Sequence, residues 1–244
     1  MMRRFGRGAT RLAVICAGLL CASLGGCVVP QAEVGPEGTL EVFGPTALAP
    51  GPTLPDDWVL ESEGGPASGR NIAVTGGDGS ATLTLTTGPS RFVLARRVKA
   101  NLLASPYIGW SWRMAPAAGR ESDIRLLVGF HGGNPESRSW GSEPFVYLGS
   151  NLPPFDRAIA IMWGSSALER GSLSTEAPIP EYTARGGPEH TDQWWSDNLD
   201  LADLYRKAWP NDRFERARIM FVGFAVSENT AAVQANFGDI VLYR

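Results

Sequence analysis

Histidine and cysteine are scarce in this chain of 244 residues, which holds two of the first and three of the second. Two of the cysteines, Cys16 and Cys21, fall in an apolar N-terminal run, so a chain processed after that run keeps one thiol and no internal disulfide. His131 and His190 stand alone, without the spacing of zinc ligands. The sequence lacks His-Glu-x-x-His, Cys-x-x-Cys, a phosphate-binding Gly-rich loop and Gly-x-Ser-x-Gly; Trp163-Gly164-Ser165-Ser166 has no glycine at the spacing a nucleophile elbow needs. No catalytic residue, cofactor or metal site is therefore read from motifs. Positive charge is also short. There are 22 basic residues against 25 acidic, and without the four arginines of the first 26 residues the balance is 18 against 25, a net of −7. That argues against a nucleic-acid surface and against a polybasic membrane patch. No stretch after residue 27 approaches the ~20 apolar residues of a membrane-crossing helix.

The N-terminus is what the chain does have. Arg3, Arg4, Arg7 and Arg11 precede an apolar core from Leu12 to Ala22, and small residues lead to Cys27. Such an order reads as an export signal, too short to span a bilayer. Leu24-Gly25-Gly26-Cys27 resembles a bacterial lipobox. The expectation is a signal peptide over 1–26, lipidation of Cys27, and a tether over 27–53 drawn from Pro30, Pro36, Pro45, Pro50 and Pro52. Several acyl chains, at roughly 0.8 kcal/mol per buried CH₂, would hold the protein firmly. Val28 follows the cysteine, where Asp would mark inner-membrane retention, so the expected place is the outer membrane, facing the periplasm. Within the tether, Thr39 to Phe43 has the makings of a short strand.

Residues 54–244 are read as one domain, all-β, a β-sandwich of jelly-roll type with one helix and long loops. Short alternating or apolar runs between Gly, Pro, Ser and Asn clusters predict strands near 57–62, 70–75, 81–87, 92–99, 106–114, 123–131, 157–164, 216–226 and 232–243. Gly76-Gly77-Asp78-Gly79 is a hairpin-type turn. One helix is predicted from Asp197 to Ala208, capped by Ser196 or Asp197 and stopped by Pro210. Residues 133–156 and 171–196 read as long loops.

Alternation then separates core from working faces. Ile108, Trp110, Trp112 and Met114 share one side of their strand, which favours packing over a sugar platform. Ile124, Leu126, Val128 and Phe130 make the inward row of another. If those two strands are neighbours, Arg113, Arg125 and His131 share a face suited to carboxylate, phosphate or sugar hydroxyls, because a guanidinium donates as a planar fork. The alternative is a solvated face whose arginines pair with acids such as Asp123. Trp163, at a strand end, is a candidate rim aromatic for stacking. Ser227-Glu228-Asn229-Thr230 and Asp239 offer oxygen ligands, with turn chemistry as the simpler account.

The ordered motifs resemble a known family. They are Leu54-Pro55-Asp56-Asp57-Trp58, Ile108-Gly109-Trp110-Ser111-Trp112-Arg113, Arg125-Leu126-Leu127-Val128-Gly129-Phe130, Ile161-Met162-Trp163-Gly164, Tyr205-Arg206-Lys207-Ala208, Gly223-Phe224-Ala225-Val226 and Asn236-Phe237-Gly238-Asp239-Ile240. Together they resemble the bacterial domain of unknown function 3047 family over roughly 54–243. The resemblance implies a secreted or lipid-anchored protein and supplies no activity. Arg113, Arg125, Trp163, Asn229 and Asp239 match positions of that family, whereas Ser111 and Ser227-Glu228 depart from its pattern. The functional expectation is a non-catalytic binding module for a glycan or anionic envelope ligand. The alternatives are a polysaccharide hydrolase with an unidentified Asp/Glu pair, and an assembly partner of envelope proteins.

Overall fold

The computed structural model describes residues 29–48, 53–63, 71–77, 80–116, 123–137 and 151–244. Cys27 and the export signal lie outside the described residues. The described chain forms two sheets packed face to face, a β-sandwich of jelly-roll type.

The elements in order are β1 (Ala32–Glu33), β2 (Thr39–Phe43), β3 (Trp58–Ser62), β4 (Ile72–Gly77), β5 (Ser80–Thr86), β6 (Phe92–Asn101), β7 (Tyr107–Met114), β8 (Ile124–His131), β9 (Arg157–Gly164), β10 (Leu173–Ser174), β11 (Glu181–Gly186), β12 (Trp195–Asp200), α1 (Leu201–Ala208), β13 (Arg218–Val226) and β14 (Gln234–Tyr243). The larger sheet runs β1-β6-β13-β8-β9-β11-β10, with β3 also on β6; the smaller runs β12-β7-β14-β5-β4, with β2 also on β14. Every strand expected from the sequence is present. The β4–β5 hairpin closes with Gly77 opposite Ser80, where the turn was expected.

Alternation builds the core between the layers. Leu126, Val128 and Phe130 of β8, Ile159 and Ile161 of β9, and Val222 and Phe224 of β13 face Leu83, Leu85, Ile108, Trp110, Trp112, Phe237 and Leu242 from the smaller sheet. Trp110 and Trp112 are core residues, as their neighbours indicated, at 3% and 0% exposure. At roughly 1.5–3 kcal/mol per fully buried large apolar side chain, this layer supplies the main driving force for folding. The outer face of the larger sheet carries a second apolar cluster, in which Leu127, Ala158, Ala160 and Phe221 are covered by Leu152, Phe155 and Ile179.

Three expectations need correction. Within the segment expected as a tether over 27–53, residues 32–48 belong to the fold. β1 lies parallel to β6, β2 lies antiparallel to β14, and Val42, Phe43 and Leu48 are buried. The helix begins at Leu201, not Asp197. Asp200 is its cap, accepting the Asp203 N–H at 2.9 Å, and residues 195–200 are a strand instead. The loop expected over 171–196 holds β10, β11 and the start of β12; β11 runs parallel to β9.

Candidate functional site

The anticipated cluster of Arg113, Arg125 and Trp163 does not form. β7 and β8 lie in different sheets, so Arg113 and Arg125 stand on opposite outer faces of the sandwich. β7 and β8, although consecutive, belong to different layers, whereas β8 and β9 pair within one. Arg125 pairs with Glu181 at 2.8 Å. Arg113 lies 3.8 Å from Asp192. Trp163 is wholly buried rather than at a rim: its ring meets Trp112 edge-on at 5.3 Å, and its Nε1 donates to the Gly187 carbonyl at 3.3 Å. Asn229 accepts the Ala231 N–H at 2.8 Å, as a turn residue does, and its amide donates to the sequence-distant Asp123 Oδ2 at 2.6 Å. Among the described residues no group of three or more His, Cys, Asp or Glu is placed to hold a metal. Arg125 and His131 do share a face, both pointing outward from β8.

The outer face of the smaller sheet gathers the other candidates. Here the cross-strand register sets rows. Asp200, Tyr107 and Tyr243 form one row; Asn198, Gly109 and Val241 the next; then Ser196, Ser111 and Gly238; then Arg113, Asn236 and Thr84. Tyr107 and Tyr243 stack at 5.5 Å, and Tyr107 is 38% exposed. Trp194, immediately before β12, is 46% exposed. The alternation of Trp194 and Trp195 puts the second ring beneath the strand, where the Arg185 guanidinium covers it at 3.9 Å, and leaves the first outside.

Between the two aromatic stations the floor is low. A side chain at Gly109 would meet the Tyr243 ring, and one at Gly238 would lie between Ser111 Oγ and the Trp194 ring. Four residues along β7, about 13 Å, separate the tyrosine row from the Gly238 row. Ser111 Oγ donates to the Gly238 carbonyl at 2.9 Å, and Thr84 Oγ1 to Asn236 Oδ1 at 2.8 Å, so the polar floor is internally fixed. Asp192 and Asp239 are the non-glycine residues with left-handed backbone among the described residues, at φ of 58° and 47°. Both flank this face: Asp192 beside Arg113, Asp239 exposed in the bulge where β14 shifts register between Gly238 and Val241. Bulges of this kind re-aim side chains at sheet surfaces. Sequence reasoning missed Tyr107 and Tyr243, whose signal was an aromatic at outward parity on strands with apolar inward rows, and Trp194, which lies beside a strand without a readable period.

On the other layer, two hollows lie along the outer face of the larger sheet. One, of about 310 Å³, sits over Leu127, Ala160 and Ala225 with the Arg125–Glu181 pair and Arg91 at its edges. The second, of about 440 Å³, is lined by Asn101, His131, Arg216 and Arg218. Behind His131, Asp156 is 2% exposed; its Oδ2 accepts the Gly132 N–H at 3.0 Å and lies 3.3 Å from His131 Nδ1. Burial pushes the Asp156 carboxyl above the usual range, opposed by the Gly132 N–H and His131. Nearby, Arg157 forks onto Asp212 at 2.8 and 3.0 Å, and Tyr205 donates to the same carboxylate at 2.8 Å. Burial and that carboxylate hold the Tyr205 phenol protonated.

No family model matches the chain, and no curated protein matches it. Similar solved structures include a family 30 carbohydrate-binding module of a Clostridium thermocellum cellulosomal cellulase, at 12% identity, 84% of this chain, 98% of that one and a TM-score of 0.44. A family 11 carbohydrate-binding module from the same organism, in complex with a mixed-linked tetrasaccharide, matches at 8% identity over 77% and 88% of the two chains, with a TM-score of 0.38. A family 12 xyloglucanase from Bacillus licheniformis matches at 10% identity over 88% and 97%, with a TM-score of 0.37. Each is a distant likeness, and the sandwich described above rests on this chain's own strands.

Proposed function

We propose that this protein is a non-catalytic glycan-binding module, held at the membrane by a lipid on Cys27, and that the glycan lies along the outer face of the smaller sheet. One observation carries the reading. Exposed Tyr107, stacked on half-buried Tyr243, and exposed Trp194 stand at two ends of a furrow floored by Gly109, Ser111 and Gly238. A sugar ring offers an apolar C–H face and a rim of hydroxyls. Rings at the stations meet the first, while Arg113, Asp192, Asn198 and Asp239 meet the second. Rigid strands with internally bonded polar side chains keep the furrow formed before ligand arrives, which lowers the ordering cost of binding.

The test is calorimetry of the full-length protein against a panel of polysaccharides, with Trp194→Ala and Tyr107→Ala. Each ring removed is expected to weaken binding about tenfold, ~1.4 kcal/mol, and Arg125→Gln to leave it unchanged. Absence of glycan binding across the panel, or indifference to both ring substitutions, overturns the reading. The anchor is tested separately: labelled palmitate is expected to mark the protein and to fail with Cys27→Ser.

A further inference from the structure

We infer a second binding site, for an oxyanion, in the hollow of about 440 Å³ at the His131 end of the larger sheet. It lies on the opposite layer from the proposed glycan furrow and stands independently of it. Asn101, Arg218 and His131 are direct cross-strand partners on β6, β13 and β8, so their side chains leave the sheet side by side. Arg216, two residues ahead of Arg218, closes the hollow from the 3-10 turn Phe214–Arg216.

Among the described residues, the two arginines of this hollow lack the acidic partner that most other arginines have. Arg91, Arg96, Arg113, Arg125, Arg157 and Arg185 each have an acidic partner within 4 Å. Arg216 and Arg218 make no ion pair among the described residues, although both are exposed and within a few residues of each other. Glu215 is the one carboxylate that lines the hollow among the described residues. Asn101 spends its carboxamide oxygen on the Leu103 N–H at 2.9 Å, which leaves the NH₂ as its free donor. His131 Nδ1 lies 3.3 Å from the buried Asp156 carboxylate. Two guanidinium forks, an amide NH₂ and an imidazole converging on one hollow make a donor-rich surface, complementary to a carboxylate or phosphoryl group.

The experiment is calorimetric titration of the full-length protein with inorganic phosphate and, separately, with a uronic-acid trisaccharide, at low salt. Saturable binding of either is expected; tighter phosphate would identify a phosphoryl group as the native chemistry, tighter uronate a sugar carboxylate. Arg218→Gln should weaken it about tenfold or more, the scale of one charge-assisted contact, and Arg216→Gln with Arg218→Gln should abolish it. Both side chains are exposed, so neither change threatens the fold. Neutral-glycan binding should be untouched by them, and anion binding untouched by Trp194→Ala, which separates failure here from failure of the glycan reading. Absence of saturable binding by both anions, or binding indifferent to the double substitution, overturns the inference.

Discussion

Replacing Asp197 by Ala should be among the costliest single changes in this protein. Asp197 belongs to β12 of the smaller sheet, yet its carboxylate takes bonds from both layers. Arg185 of β11, in the larger sheet, donates through Nε at 3.0 Å and Nη2 at 2.7 Å, Trp112 Nε1 donates at 2.9 Å, and Arg170 reaches it at 3.3 Å. Arg185 and Asp197 are only 7% and 9% exposed. Removing the carboxylate strands a buried guanidinium, a loss of about 3–5 kcal/mol, and leaves the indole N–H unpaired. Against a domain stability of about 5–15 kcal/mol, a loss near 4 kcal/mol is a large fraction. With a urea slope of roughly 2 kcal/mol per molar, the midpoint followed by tryptophan fluorescence should fall by about 2 M. Arg185→Met should cost less, because Asp197 keeps Trp112 and Arg170. The double variant should be more stable than the sum of the single losses implies, since it leaves no unpaired partner of the fork. A loss under about 1 kcal/mol for Asp197→Ala, or strict additivity in the cycle, would refute the idea that this pair clasps the two sheets.

Three further outcomes are expected. Phe43→Ala, in the segment whose prolines suggest a tether, should cost about 3–5 kcal/mol in the same urea assay, because the ring is fully buried; a cost near zero would return that segment to the tether. Gly129→Ala should destabilise by about 1–3 kcal/mol, since a Cβ there meets the Phe221 ring on the covered outer face; a melting temperature equal to the parent's would contradict that packing. Asp156→Asn should flatten the acid side of the stability profile. The folded-state carboxyl titrates above its unfolded value of about 3.9, so the folded state holds the proton more tightly and stability declines as pH rises through the folded pKa. Asparagine removes that decline, and thermal melts across the range that keep the same slope would count against the assignment.

Nine strands were legible because alternating or continuous apolar runs stand between turn residues, as in Ile124, Leu126, Val128 and Phe130. β11 and β12 were not. Glu181–Gly186 carries few apolar residues and Trp195–Asp200 is mostly polar, so neither shows a period. The Asp and Asn of β12 also imitate a helix start, and only its pairing with β7 overrides that local preference. Trp163 lies in the core with Ile159 and Ile161 of the same strand. The error was to treat a strand end as a sheet margin, when the turn at Gly187 covers it. Which strands share a sheet is set by long-range connection, so the separation of Arg113 from Arg125 had no local signature. Arg113 and Asp239 do fall on one face, beside aromatic rings that were not singled out.

The segment 181–200 links the two sheets. It leaves the larger sheet as β11, crosses the end of the sandwich, and joins the smaller sheet as its edge strand β12. Along it, inward positions hold Arg185, Trp195 and Asp197, and outward positions hold Trp194, Ser196 and Asn198. Period-two alternation therefore places the clasp and one wall of the furrow on opposite sides of the same backbone. An edge strand has one neighbour in its sheet, so β12 owes its position to β7 on one side and to the clasp beneath. Asp197→Asn, which weakens the clasp while keeping its shape, should speed amide exchange in β12 and lower glycan affinity together. Phe43→Ala, which acts on the far side of β14, should lower stability and leave affinity in the folded protein unchanged. If both variants altered affinity in proportion to stability alone, the clasp would have no special hold on the furrow, and Trp194 would owe its place to the sheet as a whole.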